Sequence, residues 1–226
     1  MPRNTLNYIG LCLFIELLFS SPIWANDDAG ISDFVLFIEH SDMEWIYPTV
    51  GRESTTTRLL AVWHESFGQY LKGGLRLAYL DVSQAANPLP SGLNSTGYGL
   101  GFDLHSGLLD RHMLQLGLRF SYDYQSTRGK SPDQVSDFVW HTSEIGLDLV
   151  VAPASRLSFL TGASLTWLDG EQRVSGNINQ VLPFSEDTPF GYYAGLRLRT
   201  DATGSIGVRF YGGVRQGGEF VFRRHF

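Results

Sequence analysis

A few short groupings in this chain bring together residue types that can do chemistry. In His141-Thr142-Ser143-Glu144-Ile145-Gly146-Leu147 the histidine and the serine are two residues apart, so a strand puts them on one face. His141 can then serve as the base for Ser143 as a nucleophile, with a nearby carboxylate orienting the imidazole. The same face carries Ile145 and Leu147, which turns it toward lipid. His64-Glu65-Ser66 holds similar residue types but offers no oxyanion donors. Asp42-Met43-Glu44 is an acidic pair in a connecting segment, and Asp103 shares a face with His105, which makes that histidine a pH-sensitive interior partner. Each also has a plainer reading, as polar residues at an interface or as satisfied interior groups. No His, Asp and Glu cluster has a metal-ligand spacing, and neither a metal nor another cofactor is expected.

Strands must position these groups. Leu114, Leu116, Leu118, Phe120, Tyr122 and Tyr124 alternate with Gln115, Gly117, Arg119, Ser121 and Asp123, a period of two that no helix accommodates. The segment before alternates Tyr98, Leu100, Phe102 and Leu104 with glycines, Asp103 and His105; the segment after alternates Ile145, Leu147 and Leu149 with Glu144, Gly146 and Asp148. Extended along the chain, the pattern predicts strands at 33–46, 57–65, 70–82, 96–105, 111–124, 138–152, 155–168, 189–199, 204–212 and 217–226. The first two alternate least cleanly, and eight strands are the fallback. Connections alternate too: short near 66–68, 106–107, 152–154 and 201–204, long near 47–56, 83–95, 125–137 and 169–188, with a compact one at 212–217. The expected fold is all-β, a closed antiparallel up-and-down transmembrane β-barrel of about ten strands, with short turns in the periplasm and long loops outside. A soluble sandwich or lipocalin-like barrel also alternates, but buries the apolar face and exposes the polar one.

On this reading the polar face gathers Arg76, Arg119, Arg156, Arg197, Arg199, Arg209 and Arg223 with Asp103, Asp123, Glu144, Asp148 and Glu219 into a narrow lumen. Charges there pair or stay wet, because an isolated buried ion is costly. The result is either an interior plugged by ion pairs or a narrow polar pore. Inward glycines at 97, 99, 101, 117, 146, 195 and 207 fit both, by widening a channel or by making room for Arg and Tyr side chains. Outward Tyr79, Tyr98, Tyr122, Tyr124, Trp167 and Tyr192 suit membrane interfaces.

Composition narrows the classes further. A net charge of −6 with no basic cluster argues against a nucleic-acid partner. Fifteen arginines against two lysines suit buried, hydrogen-bonded ion pairs. A mean hydropathy of −0.07 fits a soluble protein or a barrel that hides its polar half. Residues 1–25 read as a secretory signal: Arg3, an apolar run from Tyr8 to Phe19, and Ser20-Ser21-Pro22-Ile23-Trp24-Ala25, with cleavage after Ala25. Leu11 before Cys12, and an apolar run that continues past it, argue against a lipid anchor. One domain, 26–226, follows, with no cysteine for a disulfide or a thiolate catalyst.

The last segment, Glu219-Phe220-Val221-Phe222-Arg223-Arg224-His225-Phe226, resembles the C-terminal signature of bacterial outer-membrane β-barrels. That resemblance implies an outer-membrane location. Phe220, Phe222 and Phe226 would be the assembly signal read by the barrel-assembly machinery, and outer-membrane lipid and lipopolysaccharide the surrounding partners. The stretch at His141-Thr142-Ser143 resembles the His-x-Ser core of the outer-membrane lipid A 3-O-deacylases, which implies Ser143 as nucleophile and His141 as base. Glu144 stands where that family carries asparagine, and no glutamate follows at the expected distance in the next strand. Asp42-Met43-Glu44 resembles the acidic pairs of the ten-stranded omptin proteases, without their Asp-x-His element on an opposing strand. The leading expectation is a non-enzymatic outer-membrane barrel whose lumen is mostly closed by charged side chains and whose outer loops serve recognition or an envelope role. A narrow pore for small polar solutes ranks next, and a deacylase-like hydrolase third. Oligomeric state stays open.

Overall fold

The computed structural model describes residues 32–68, 70–84, 94–111, 113–131 and 133–226. The expected leader, 1–25, and most of the connection at 83–95 lie outside them. The strands are β1 (Asp33–Ile46), β2 (Gly51–Phe67), β3 (Leu71–Gln84), β4 (Ser95–Arg111), β5 (Leu114–Ser131), β6 (Gln134–Val151), β7 (Leu157–Gly176), β8 (Gln180–Glu186), β9 (Phe190–Arg199), β10 (Gly204–Gly213) and β11 (Gln216–His225). Each pairs antiparallel with its neighbour, and β1 pairs with β11 from Asp33↔His225 to Asp42↔Gln216, so ten strands close a ring without β8. The expected ten-stranded barrel is the observed one.

Closure follows from the alternation. Every strand turns one parity inward and leaves the other as an apolar outer belt, with Leu75, Leu77, Leu100, Phe102, Leu147, Leu196 and Phe210 exposed. A closed ring leaves no unpaired strand edge, which is the condition for holding such a belt in hydrocarbon. At the seam the Phe226 N–H donates to the Ser32 carbonyl at 2.9 Å, and its ring stacks on Trp63 of β2 with centroids 6.0 Å apart. Phe226→Ala is therefore expected to reduce the amount of folded, heat-modifiable barrel in membranes. Unchanged levels on a gel run with and without boiling would contradict this role.

Three connections expected as long loops prove to be mostly strand. The connection at 47–56 shrinks to a turn at 47–50, β5 and β6 run to Ser131 and from Gln134, and 169–188 holds the end of β7 and all of β8. The reason is that beyond the belt the outward positions become polar, as at Ser126, Arg128 and Lys130, while pairing continues. A hydrophobic alternation stops there although the ladder does not. Among the short turns, that between β9 and β10 is held by Asp201, which accepts N–H bonds from Thr203 at 2.8 Å and Gly204 at 2.6 Å. Those backbone bonds keep its carboxyl below the usual range.

β8 changes the barrel's shape. It pairs with β7 above the level where β9 does, and the register slips by one residue between them: Asp169↔Ser185 gives way to Leu165↔Phe190. Pro189, which has no N–H, sits at this break, and its carbonyl accepts from Thr166 at 2.7 Å. On its other edge β8 meets β1 through Trp45↔Glu186 and Ile46↔Ser185. The β10–β11 hairpin ends below this contact. Strands β1 to β8 thus form a narrower collar of eight above the ring of ten. Interior width follows strand number, and eight strands leave a space that side chains just fill.

Candidate functional site

The interior is organised in three levels. The collar is filled by an apolar core of Trp45, Tyr47, Leu80, Val82, Phe138, Trp140, Leu168 and Phe184. These come from opposite walls: Trp45 of β1 stacks on Phe184 of β8 at 4.4 Å and meets Phe138 and Trp140 of β6 at 5.6 and 5.4 Å. Tyr47 exchanges hydrogen bonds with Gln84, and burial pushes its phenol up to about 12.

Below the collar lies a layer of buried charge. Arg119 donates to Glu144 at 2.6 Å and to Asp148 at 3.3 Å, and Arg76 holds Asp123 at 2.8 Å and Asp103 at 3.3 Å. Arg209 pairs with Glu219 at 3.0 Å. Arg58 pairs with Glu39 at 2.7 Å. From the β10–β11 turn Arg215 reaches Glu39 of β1 at 3.4 Å and Glu144 of β6 at 3.5 Å, tying opposite walls together. Gly146 leaves room for this packing: a Cβ there would stand 3.1 Å from the Arg119 guanidinium. The third level is a cavity of about 440 Å³ that reaches from Arg119, Glu144 and Arg215 of the charge layer to Tyr70, Lys72 and Gln115 toward the short-turn end.

Most of the predicted interior charges face inward in this way, with two corrections. Arg156 lies in the exposed turn before β7, because β7 begins at Leu157 and not at 155. Arg199 is exposed at the end of β9, and both side chains line a shallow hollow at the rim with Asp201. The reading of the sequence missed Glu39, Arg58 and Arg215. For Glu39 and Arg58 the parity of β1 and β2 is the missing signal: Asp33, Val35 and Glu39 are buried on β1, and Leu60, Val62 and His64 on β2. Arg215 sits in a turn, where no periodicity marks it.

The proposed nucleophile site is on the outside. His141 and Ser143 do share the outward face of β6. Glu144, on the other face, is held by Arg119 and is turned away from His141. The register instead sets Asp169 of β7 beside His141 and Trp167 beside Ser143. His141 Nδ1 shares a 2.6 Å hydrogen bond with the Tyr122 hydroxyl, and the Tyr124 ring lies 5.2 Å from the imidazole. His64-Glu65-Ser66 is split by the strand: His64 turns inward to Asp103, while Glu65 takes Ser32 and Trp63. Asp42, Glu44, Glu53 and Asp187 line an acidic concavity of about 470 Å³ at the collar rim, and no histidine is among its described lining residues.

No family model and no curated protein matches the sequence. Among solved structures, the outer-membrane protease OmpT of Escherichia coli superposes with a TM-score of 0.51 and 8% identity, over 92% of this chain and 100% of that one. An outer-membrane channel of Pseudomonas putida F1 gives 0.46 and 11%, over 91% and 98%. Neisserial surface protein A gives 0.44 and 9%, over 85% and 97%. The fold is that of bacterial outer-membrane β-barrels, with identities too low to carry an activity across.

Proposed function

We propose that this chain is an integral outer-membrane barrel that neither conducts solutes nor acts as an enzyme, and that it presents its collar and hairpin rim for recognition. The observation that supports this reading is the aromatic stack across the collar, Trp45 on Phe184 with Phe138 and Trp140, above the Arg215 link between Glu39 and Glu144. Packing across the collar and the ion pairs beneath it support a lumen closed to solutes. The short-turn end faces the periplasm and the collar the exterior, with outer-membrane lipid and lipopolysaccharide around the belt. Phe220, Phe222 and Phe226 are the residues the assembly machinery would read.

Purified protein reconstituted in planar bilayers is expected to stay electrically silent. Discrete single-channel currents that change with Arg119→Ala would replace this reading with the narrow pore.

One observation favours a second reading: His141, Ser143 and Asp169 lie together on the outward face at the exterior edge of the belt. That is where an acyl chain of lipid A would be reached by a Ser143 nucleophile, with His141 as base. Lipid A mass spectra from cells carrying wild-type or Ser143→Ala protein are expected to be identical if the trio is only interfacial. A difference of one acyl chain would make the hydrolase the better account.

A further inference from the structure

Near the periplasmic end of the lumen, His64, Asp103 and His105 converge, and the ion-pair layer engages only Asp103 of the three, through Arg76 at one oxygen. His64 Nε2 lies 3.0 Å from Asp103 Oδ1, and His105 Nε2 lies 3.5 Å from Asp103 Oδ2. All three ligand atoms fall within 4.8 Å of one another. His64 and Asp103 are only 4% and 3% exposed. Despite their separation, His64 Nε2 and Asp103 Oδ1 are not aligned for a hydrogen bond, and neither atom makes one to any described residue. Two buried polar atoms that approach without pointing at each other point at a third position.

The spacing suits a metal ion there. Ligands about 2.0–2.1 Å from a tetrahedral zinc lie roughly 3.3 Å apart, close to the 3.0 Å between His64 Nε2 and Asp103 Oδ1, and the His105 nitrogen falls within 4.8 Å of both other donors. The sheet is built to allow the approach. His64 of β2 and Asp103 of β4 sit on either side of Gly74 of β3, which is paired with both. A Cβ on Gly74 would come within 2.3 Å of Asp103 Oδ1 and 2.5 Å of the His64 ring. The missing side chain is the gap through which the two ligands meet across an intervening strand. Arg76 donates to Asp103 Oδ2 at 3.3 Å and so fixes the carboxylate while leaving Oδ1 free. Two imidazoles and one carboxylate are a donor set for zinc-like divalent ions, and not for calcium or magnesium, which take oxygen ligands.

We propose that His64, Asp103 and His105 bind one divalent transition-metal ion of the zinc class, with its remaining coordination position open to the lumen cavity. The test is calorimetric titration of untagged, detergent-purified protein with ZnCl2, followed by metal analysis after dialysis. Wild type is expected to retain one zinc per chain. His64→Gln, His105→Gln and Gly74→Ala are each expected to weaken binding at least tenfold, whereas His40→Gln, on the outer face, leaves it unchanged. Heat-modifiable migration shows which variants fold. If His64→Gln does not, His105→Gln carries the test, because that side chain is 33% exposed and removes less packing. Absence of zinc binding by wild type, or equal binding by wild type and a folded ligand or Gly74→Ala variant, would overturn the proposal.

Discussion

Trp45→Ala is expected to lower folding stability by about 3–5 kcal/mol, the usual cost of truncating a buried tryptophan. Trp45 is 2% exposed and touches Phe138, Trp140 and Phe184 at once, so removing it opens a hole that no single neighbour can fill. The measurement is the urea midpoint of barrel unfolding in lipid vesicles, followed by circular dichroism. Tyr98→Ala, whose ring is 73% exposed on the outer face, provides a reference with no lumen contact. Equal shifts for the two would mean that the collar core does not hold the structure together. The bilayer should stay silent in Trp45→Ala, since the charged layer beneath it remains.

Arg119→Ala is the second large effect. It strands two carboxylates, Glu144 and Asp148, whose shared cation sits 2.6 and 3.3 Å away inside the barrel. Breaking a buried pair by removing one partner typically costs about 3–5 kcal/mol, because the remaining charge is left without compensation. Arg215 still reaches Glu144, and Tyr193 still donates to Asp148 at 2.9 Å, which favours the lower end. Adding Glu144→Gln to Arg119→Ala is expected to recover part of the loss, and a double-mutant cycle measures how much. Arg128→Ala gives the contrast: its partner Asp137 is in water above the belt, where such a pair contributes about 0–1 kcal/mol. If Arg119→Ala costs no more than Arg128→Ala, the interior charges are solvated and the lumen is open.

The alternating segments made the barrel legible, because period two is dictated by the strand itself and ten strands close as ten. What the sequence hid lies above the belt. There Gln125, Thr127 and Gly129 face in and Ser126, Arg128 and Lys130 face out, so both faces are polar and the pattern reads as loop. β8 was invisible for a different reason, with Pro183 inside it and Pro189 three residues beyond its end. At the interior, Arg76, Arg119 and Arg209 were legible from parity alone, whereas Arg156 was misassigned by a two-residue error in a strand start. His64 was read with its sequence neighbours Glu65 and Ser66; its actual partner, Asp103, is two strands away and visible only once Gly74 is seen to separate them. In the same way, the carboxylate next to Ser143 in sequence faces inward, and the one beside His141 on the outer face comes from β7.

The step from ten strands to eight also bears on the order in which the walls can be joined. The main seam needs His225 opposite Asp33, so it requires β11. The collar needs only Glu186 opposite Trp45, and Glu186 precedes His225 by 39 residues. The narrow end can therefore be tied off, with its aromatic filling in place, while the last three staves are still unpaired.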